Sequence, residues 1–273
     1  MPTISPPGLT PKQAKLAKLN RRLAVGSLLL LILPFVAMEL TSIPSRQRHA
    51  QLQALENTLA NGRRIWFALE KFRKTYGRYP DATTAAMVKE RTGSTWNLKA
   101  DTANDVFRQL IAAGVVDSEL IFQALGQGMH KPDGRMKAEA EALQPGECGF
   151  AYIDGPSSGN TGRPMVVAPL IHGTHRFDRS IWDGLAVVVR GDGSAVHNRL
   201  RPDGTWSGPD GLDLCDPILW DGQTAVVKWP DSRRPSWFQR YGGWSITASV
   251  TVIVVGFLTI YIARKHRKFP PGA

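Results

Sequence analysis

The chain has 273 residues, and its 34 lysines and arginines against 23 aspartates and glutamates give a formal net charge of +11. A content of 42% hydrophobic and 8% aromatic residues excludes a disordered chain. With two cysteines, the sequence is neither a disulfide-rich miniprotein nor a four-cysteine zinc module.

The excess positive charge lies at the two ends of the chain. Residues 1–22 carry five basic side chains, residues 264–273 carry four, and neither tail contains an acid. A strong positive charge usually suggests nucleic acid, but the stretch between these tails is nearly neutral, so we expect no nucleic-acid partner. The basic side chains are Lys12, Lys15, Lys18, Arg21, Arg22, Arg264, Lys265, Arg267 and Lys268.

An apolar segment lies beside each tail, and we predict that both are transmembrane helices. Residues 244–263 contain no charged side chain, and as a helix they would measure about 30 Å, the thickness of a bilayer's hydrocarbon core. Residues 23–43 are an uncleaved anchor or a cleaved signal peptide, and the lack of a small-residue cleavage site favours the anchor. Aromatic side chains typical of a membrane interface stand before the second segment: Trp237, Phe238, Tyr241 and Trp244.

The basic tails also predict the orientation of the chain, because positive residues beside a span stay in the cytoplasm. We therefore expect both termini in the cytoplasm of a bacterium, residues 44–243 in the periplasm, and the inner membrane's lipid bilayer as a partner.

Helical patterns occupy the first part of the predicted periplasmic domain. Apolar side chains recur at steps of three and four from Leu52 to Tyr76, which predicts a helix over residues 47–76 that ends before Pro80. Shorter helices are predicted over residues 105–116 and 119–125, and a long loop over residues 126–147.

The second part of the domain has strand patterns. A tight turn at residues 191–193 joins the last two of four predicted strands, and residues 201–240 are predicted to be irregular, with Trp206 and Trp220 filling the core. Helices followed by strands predict an α+β fold, a long helix packed on a small antiparallel sheet. The predicted strands are Phe150–Ile153, Met165–Ile171, Leu185–Arg190 and Ser194–Leu200.

Cys148 and Cys215 are the two cysteines, and both fall in the predicted periplasmic part. In an oxidising compartment such a pair predicts a disulfide. The alternative is two free buried thiols.

Three stretches resemble the pseudopilins of type II secretion and related pilin-like proteins: Ala68-Leu69-Glu70, the turn KTYGRYPD from Lys74 to Asp81, and the pattern from Phe177 to Ser194. The resemblance covers about residues 45–200. It implies a long helix on a small antiparallel sheet, and a structural role in a secretion or pilus-like assembly whose proteins would be partners.

The sequence departs from that family in two respects. Arg21 to Gly26 offers no prepilin cleavage site, and Glu39 lies at the wrong end of the first apolar segment. The second apolar segment is also foreign to a filament subunit, which must leave the bilayer. We therefore expect a pilin-like domain that stays anchored and not a polymerising pilin.

Candidate sites for chemistry are weak. His172, His175 and His197 lack the spacing of a zinc site, and no motif for a nucleophile or a phosphate-binding loop is present. The resemblance implies calcium as a possible ligand, although the spacing is not that of an EF-hand. The calcium candidates are Asp203, Asp210, Asp213 and Asp216.

We therefore predict a protein without catalytic residues or cofactor, which displays a periplasmic pilin-like domain in a structural or interaction role. The alternative is a ligand- or metal-binding sensor domain tethered to the inner membrane.

Overall fold

A computed structural model describes residues 48–124, 131–155, 161–208 and 211–231, together with Lys12 and Leu16. The chain divides into two compact units, Met1–Leu52 and Gln53–Ala273. Of the first unit, the structure describes Lys12 and Leu16, both helical, and the beginning of a helix at residues 48–52. The fold below is that of the second unit.

Helix α1 covers residues 48–76 of the described chain, as its pattern predicts, and its residues 53–76 belong to the second unit. Its buried face consists of Leu55, Leu59, Ile65, Leu69, Phe72 and Tyr76, each at most 7% exposed. Leu52 is an exception to the predicted apolar face, because it is 48% exposed. The helix ends at Gly77, whose positive φ of 81° lets its N–H bond the carbonyl of Arg73.

At Gly62, α1 is packed tightly against the sheet. A Cβ atom at this position would lie 2.7 Å from Cγ2 of Val189. The neighbouring Asn61 donates from its side-chain amide to the carbonyls of Leu120 and Gln123. The Asn61-Gly62 pair therefore fixes the helix in position, although these residues are poor helix formers.

Two shorter helices follow, α2 at Ala82–Thr92 and α3 at Ala103–Ala112. Both begin with a capping box, formed by Asp81 with Thr84 and by Thr102 with Asp105. The sequence pattern did not predict α2, which has a weak apolar face. Buried Gln109 joins the two helices: its side chain accepts from the Thr84 hydroxyl and donates to the carbonyls of Asp81 and Lys99.

The sheet has five strands in the order β4-β3-β2-β1-β5, and every neighbouring pair is antiparallel. The α+β class and the antiparallel sheet are thus confirmed. The short edge strand β5 lies in the part of the chain that was predicted to be irregular. The strands are β1 at Ala151–Asp154, β2 at Pro164–Ala168, β3 at Leu185–Arg190, β4 at Ala195–Arg199 and β5 at Val226–Lys228.

Both faces of the sheet are buried, each by a different part of the chain. Along β3, Val187 and Val189 belong to the core beneath α1 and α3, whereas Ala186 and Val188 belong to a second core on the opposite face. This alternation is the two-residue period of a strand. Residues from the mostly irregular segment after β4 complete the second core: Trp206, Leu214, Leu219, Trp220, Ala225 and Val227.

Two buried glutamates hold the loop over residues 131–147. Glu119, in a 3-10 helix at Glu119–Phe122, accepts from the backbone N–H groups of Gly134 and Leu143. Glu147 accepts in the same manner from the N–H groups of Asp133 and Gln144. These carboxylates satisfy four backbone donors of a segment without regular secondary structure.

The chain after β5 is hydrogen-bonded to the first residues of α3. The N–H of Ala103 donates to the carbonyl of Trp229 at 2.9 Å, and the N–H of Asp231 donates to the side chain of Asn104 at 2.9 Å. The N–H of Gly146 donates to the carbonyl of Asp231 at 2.7 Å.

Within the described ranges, no helix is both long and apolar enough to cross a membrane. The two segments predicted to do so, residues 23–43 and 244–263, lie outside the described residues.

Candidate interaction surface

The outward face of α1 is basic with an aromatic centre. Arg63, Arg64, Phe67, Lys71 and Lys74 are all exposed and follow one another at helical spacing, and we call them the basic stripe. Phe67 is 65% exposed, which is unusual for a residue that is normally buried. The side-chain bonds of Arg63 and Arg64 go to neutral oxygens, those of Ala195 and Asn61.

Trp66 holds the stripe against the sheet. Its indole N–H donates to the carbonyl of Gly191 at 3.1 Å, and its ring lies edge-on to Phe67 at a centroid distance of 5.1 Å. Gly193 of the same turn has a φ of 84°, and a Cβ there would lie 2.9 Å from the Trp66 ring. The β3–β4 turn and α1 are therefore in close contact, which orients the face that carries Phe67.

The C-terminal end of α1 contains a neutral network. Arg73 and Glu70 form an ion pair at 2.9 Å, and the Tyr79 hydroxyl donates to Glu70. Burial raises the pKa of Glu70, but its hydrogen bonds with Arg73 and Tyr79 outweigh this effect and lower the pKa overall. Burial and the bond to Glu70 raise the pKa of Tyr79 to about 12. Glu70 is paired with Arg73, and the charge of Lys74 also contributes to lowering its pKa.

A second surface, at residues 211–224, covers the other face of the sheet. Two arginines lie against it: Arg201 donates to the carbonyl of Gly211, and the guanidinium of Arg163 lies over the Trp220 ring. The segment contains three aspartates, of which Asp213 and Asp216 are half-buried. Its 3-10 helix, Pro217–Trp220, buries Leu219 and Trp220 in the second core and leaves Ile218 69% exposed. The indole N–H of Trp220 donates to the carbonyl of Leu214 at 3.0 Å, which fixes the segment on the sheet.

Phe67 and Ile218 were not singled out from the sequence. A helical projection of α1 would have found Phe67, because it lies opposite the predicted apolar face. Ile218 carries no such signal, since its exposure follows from how the two residues after it are packed.

The predicted disulfide is wrong: Cys148 and Cys215 are free thiols. The sheet separates them, because Cys148 belongs to the core beneath α1 and Cys215 packs on the second core. Burial raises the pKa of Cys148 to about 12 and that of Cys215 to about 11.

His172 and His175 both lie near Trp229, with ring centroids 5.9 and 6.5 Å from its indole. His197 is on β4 with its side chain exposed. Among the residues the structure describes, no three or more histidines, cysteines, aspartates and glutamates are grouped so that they could hold a metal ion.

The calcium candidates take part in local turns. Asp203 accepts from the backbone and hydroxyl of Thr205, Asp213 from the N–H of Leu214, and Asp216 from the N–H of Ile218. Asp210 lies outside the described residues.

A groove of about 650 Å³ lies between Thr95, Trp96, Arg108 and residues 137–140. Two of its charged side chains, Arg108 and Glu139, form structural hydrogen bonds. Arg108 donates to the carbonyls of Ala142 and Leu143, and Glu139 accepts from the N–H of Asn97.

Most of the predicted membrane-related residues lie outside the described residues, and Lys12 is exposed. Those outside are the interface aromatics Trp237, Phe238, Tyr241 and Trp244 and the basic residues Lys15, Lys18, Arg21, Arg22, Arg264, Lys265, Arg267 and Lys268.

Comparisons of the chain with protein-family models, with curated proteins and with solved structures give no match.

Proposed function

We propose that this chain is a non-enzymatic interaction protein of the bacterial inner membrane, which displays a pseudopilin-like domain in the periplasm as part of a secretion or pilus-like assembly. Two transmembrane helices, at residues 23–43 and 244–263, anchor it with both termini in the cytoplasm.

The observation that carries the proposal is the packing of α1. The part of α1 from Leu55 to Tyr76 packs its buried side chains on one face of an antiparallel sheet. The helix follows directly on the first predicted span, and it ends before the Tyr79-Pro80 turn that resembles the pseudopilin turn. Its outward face exposes an aromatic ring among four cations, a composition that suits protein contacts.

The described residues form no catalytic arrangement, but the proposal does not rest on this absence. The groove's arginine, Arg108, donates to backbone carbonyls.

Reporter fusions test the topology. Alkaline phosphatase fused after Asp210 should be active, and a reporter that works only in the cytoplasm should be inactive there. The same two reporters fused after Ala273 should give the reverse result. An active cytoplasmic reporter at Asp210 would contradict the proposal.

Crosslinking in cells, followed by capture of the tagged full chain from solubilised membranes, tests the role. We expect membrane components of a secretion or pilus-like assembly to be recovered. Phe67→Glu in the basic stripe should reduce this recovery. Met87→Glu on α2, where the residue is also exposed, is the matched control and should not reduce it. Recovery of the chain with a tightly bound small molecule and no protein would favour the sensor alternative.

A further inference from the structure

We infer that the free edge of β4 binds an extended acidic segment of another protein, which adds to the five-stranded sheet as a further strand. The bound segment carries a carboxylate at every second position. The inference names a class of partner for the proposed interaction protein, and it rests on that function.

The hydrogen bonds at the two ends of β4 show which of its backbone groups face β3. The N–H of Arg190 donates to the carbonyl of Ser194, and the N–H of Leu200 donates to the carbonyl of Gly184. Bonded and unbonded pairs alternate along antiparallel strands. The register of β3 and β4 is continuous between these two bonds, so the even-numbered residues of β4 bond β3.

The odd-numbered residues of β4 therefore turn their backbone groups outward. Because β4 is an edge strand, the N–H groups of His197 and Arg199 have no acceptor among the described residues. Main-chain groups at such an edge can bind an added strand, and the alternate side chains then decide which sequence fits.

The two edges of the sheet differ in what they offer. β5 has three residues, and the chain after it bonds α3 through Trp229 and Asp231. β4 has five residues and no proline. Its position is fixed through Asn198, whose side chain accepts from the indole N–H of Trp206 at 2.7 Å and donates to the carbonyl of His197 at 3.2 Å. β4 is thus the longer and better supported edge.

The side chains beside the outward groups are basic. His197 and Arg199 are exposed on the same face as Ala195, which belongs to the core beneath α1. Arg63 of α1 reaches this edge as well, where it donates to the carbonyl of Ala195 at 3.5 Å. Three basic side chains therefore lie along one side of the free edge.

Acids are absent from the segments that form this edge. None occurs at residues 193–202 or at residues 57–69. A carboxylate opposite each outward residue would complement the basic side chains, whereas a second copy of β4 would bring basic side chains against one another. The acids of the adjoining turns lie beyond the two ends of β4, and they are Asp183, Asp192 and Asp203.

The added segment runs antiparallel to β4, as every neighbouring pair of the sheet does. It therefore leaves the strand at the β3–β4 turn. There Trp66 donates to the carbonyl of Gly191, and its ring contacts Phe67. The residues that follow in the segment thus come to the basic stripe, which supplies further cations.

The test uses the purified full chain in detergent micelles and a fluorescent eight-residue peptide in which valine and glutamate alternate. Fluorescence anisotropy should show saturable binding, with empty micelles as the background. A peptide of four valines followed by four glutamates should bind about tenfold or more weakly, because its acids cannot all lie on one face of a strand.

N-Methylation of the peptide distinguishes strand addition from charge attraction alone. A residue opposite His197 lies on the same face and exchanges both backbone hydrogen bonds with it. N-Methylated glutamates should therefore abolish binding, whereas N-methylated valines should leave it unchanged. Hydrogen exchange followed by mass spectrometry should show slower exchange over β4 when the unmethylated peptide is bound.

A proline at position 197 tests the backbone of the chain itself. His197→Pro removes an outward N–H but no hydrogen bond to β3, and proline is tolerated at such edge positions. It should abolish binding, whereas His197→Ala, which keeps the N–H, should bind within a few-fold of the wild-type chain. Denaturant unfolding shows whether both variants are folded.

Charge reversal provides a second test that does not depend on the proline variant. Arg199→Glu should bind the valine–glutamate peptide about tenfold or more weakly and should bind the corresponding valine–lysine peptide more tightly than the wild-type chain does. Lys99→Glu makes the same change at an exposed position elsewhere and should alter neither affinity.

Equal binding of the alternating and the grouped peptide would overturn the inference, and so would equal effects of methylation at glutamates and at valines. Self-association of the chain that His197→Pro abolishes would also overturn it, because a second copy would then occupy the edge. These measurements do not depend on cellular location, so they can fail while the topology and capture experiments succeed, and the reverse.

Discussion

Gly62 shows how a residue that weakens a helix can stabilise the fold. Alanine has a higher helix propensity than glycine by about 1 kcal/mol, but a Cβ at position 62 would lie 2.7 Å from Cγ2 of Val189, a stiff branched side chain in the core. We predict that Gly62→Ala lowers the free energy of unfolding by about 1–3 kcal/mol through overpacking. Denaturant unfolding followed by circular dichroism measures this change.

The control is Val189→Ala, which removes the methyl group that the new Cβ would meet. In that background Gly62→Ala should be much less destabilising than in the wild-type chain. Equal effects of Gly62→Ala in both backgrounds would show that the contact with Val189 is not the cause.

The two thiols should differ in reactivity. Cys148 is 1% exposed and its Sγ donates to the carbonyl of Phe150, whereas Cys215 is half-buried. Because the thiolate is the reactive form and Cys148 has the higher pKa, we predict that Cys215 is alkylated first in the folded chain without reductant. Cys148 should follow after unfolding, and mass spectrometry gives the number of added groups. Two cysteines that resist alkylation until a reductant is added would contradict the free-thiol structure.

At the scale of elements, the loop over residues 131–147 depends on buried carboxylates instead of on regular hydrogen bonding. Glu119 and Glu147 each bind one backbone N–H near residue 133 and one near residue 143. Burial raises the pKa of Glu119, and the charges of Glu147 and Asp133 add to this effect, while the hydrogen bonds from Leu143 and Gly134 oppose it.

This arrangement predicts a pH dependence with a definite sign. In the unfolded chain Glu119 has the ordinary pKa of 4.5, and in the folded protein its pKa is higher. Between these two values the folded protein binds more protons, so its free energy of unfolding falls as the pH rises through the window. Glu119→Gln cannot ionise and should flatten that slope, as measured by denaturant unfolding at a series of pH values.

Glu90→Gln, at an exposed position of α2, is the control for the loss of one carboxylate. An unchanged slope in the Glu119→Gln variant would show that other groups produce the pH dependence.

At the scale of the whole molecule, the sheet requires a cover on each face, and the second cover has little regular structure of its own. Trp206 and Trp220 are 0% and 1% exposed. The Trp220 ring lies over Gly155, where a Cβ would come within 2.4 Å of it, and beneath the guanidinium of Arg163 at 5.5 Å. The cover is thus a small number of large side chains fitted to particular positions.

We predict that Trp220→Ala lowers the free energy of unfolding by about 3–5 kcal/mol, because it leaves a cavity between the cover and the sheet. Ile218→Ala, two residues earlier and exposed, should change it by less than about 0.5 kcal/mol. Thermal and denaturant unfolding of both variants give the comparison. Similar losses in the two variants would mean that the segment is not packed as described.

The features that follow local periodicity were predictable from the sequence. The apolar face of α1 and the β3–β4 hairpin both follow repeating patterns that residue spacing alone determines. Helix α2 was missed because it buries only Thr84, Ala85 and Val88, so its capping box was interpreted as a turn. Strand β5 was missed because three residues among prolines, glycines and aspartates form no pattern.

The site was less predictable, because it depends on contacts between distant parts of the chain. The disulfide was predicted from the expected compartment, whereas the sheet decides whether Cys148 and Cys215 can meet. The exposure of Phe67 and Ile218 likewise follows from which neighbours the sheet buries. Anchoring, orientation and assembly remain predictions that the experiments above test.

The hydrogen bonds of residues 229–231 have a mechanical consequence. Force applied to the chain beyond Asp231 reaches the bonds of Asp231 first, then the bond of Trp229 to α3, and only then the three residues of β5. These bonds must break before the force acts on the short edge strand. A pull on the C-terminal end is therefore carried into α3 and the 131–147 loop before it can peel the sheet open.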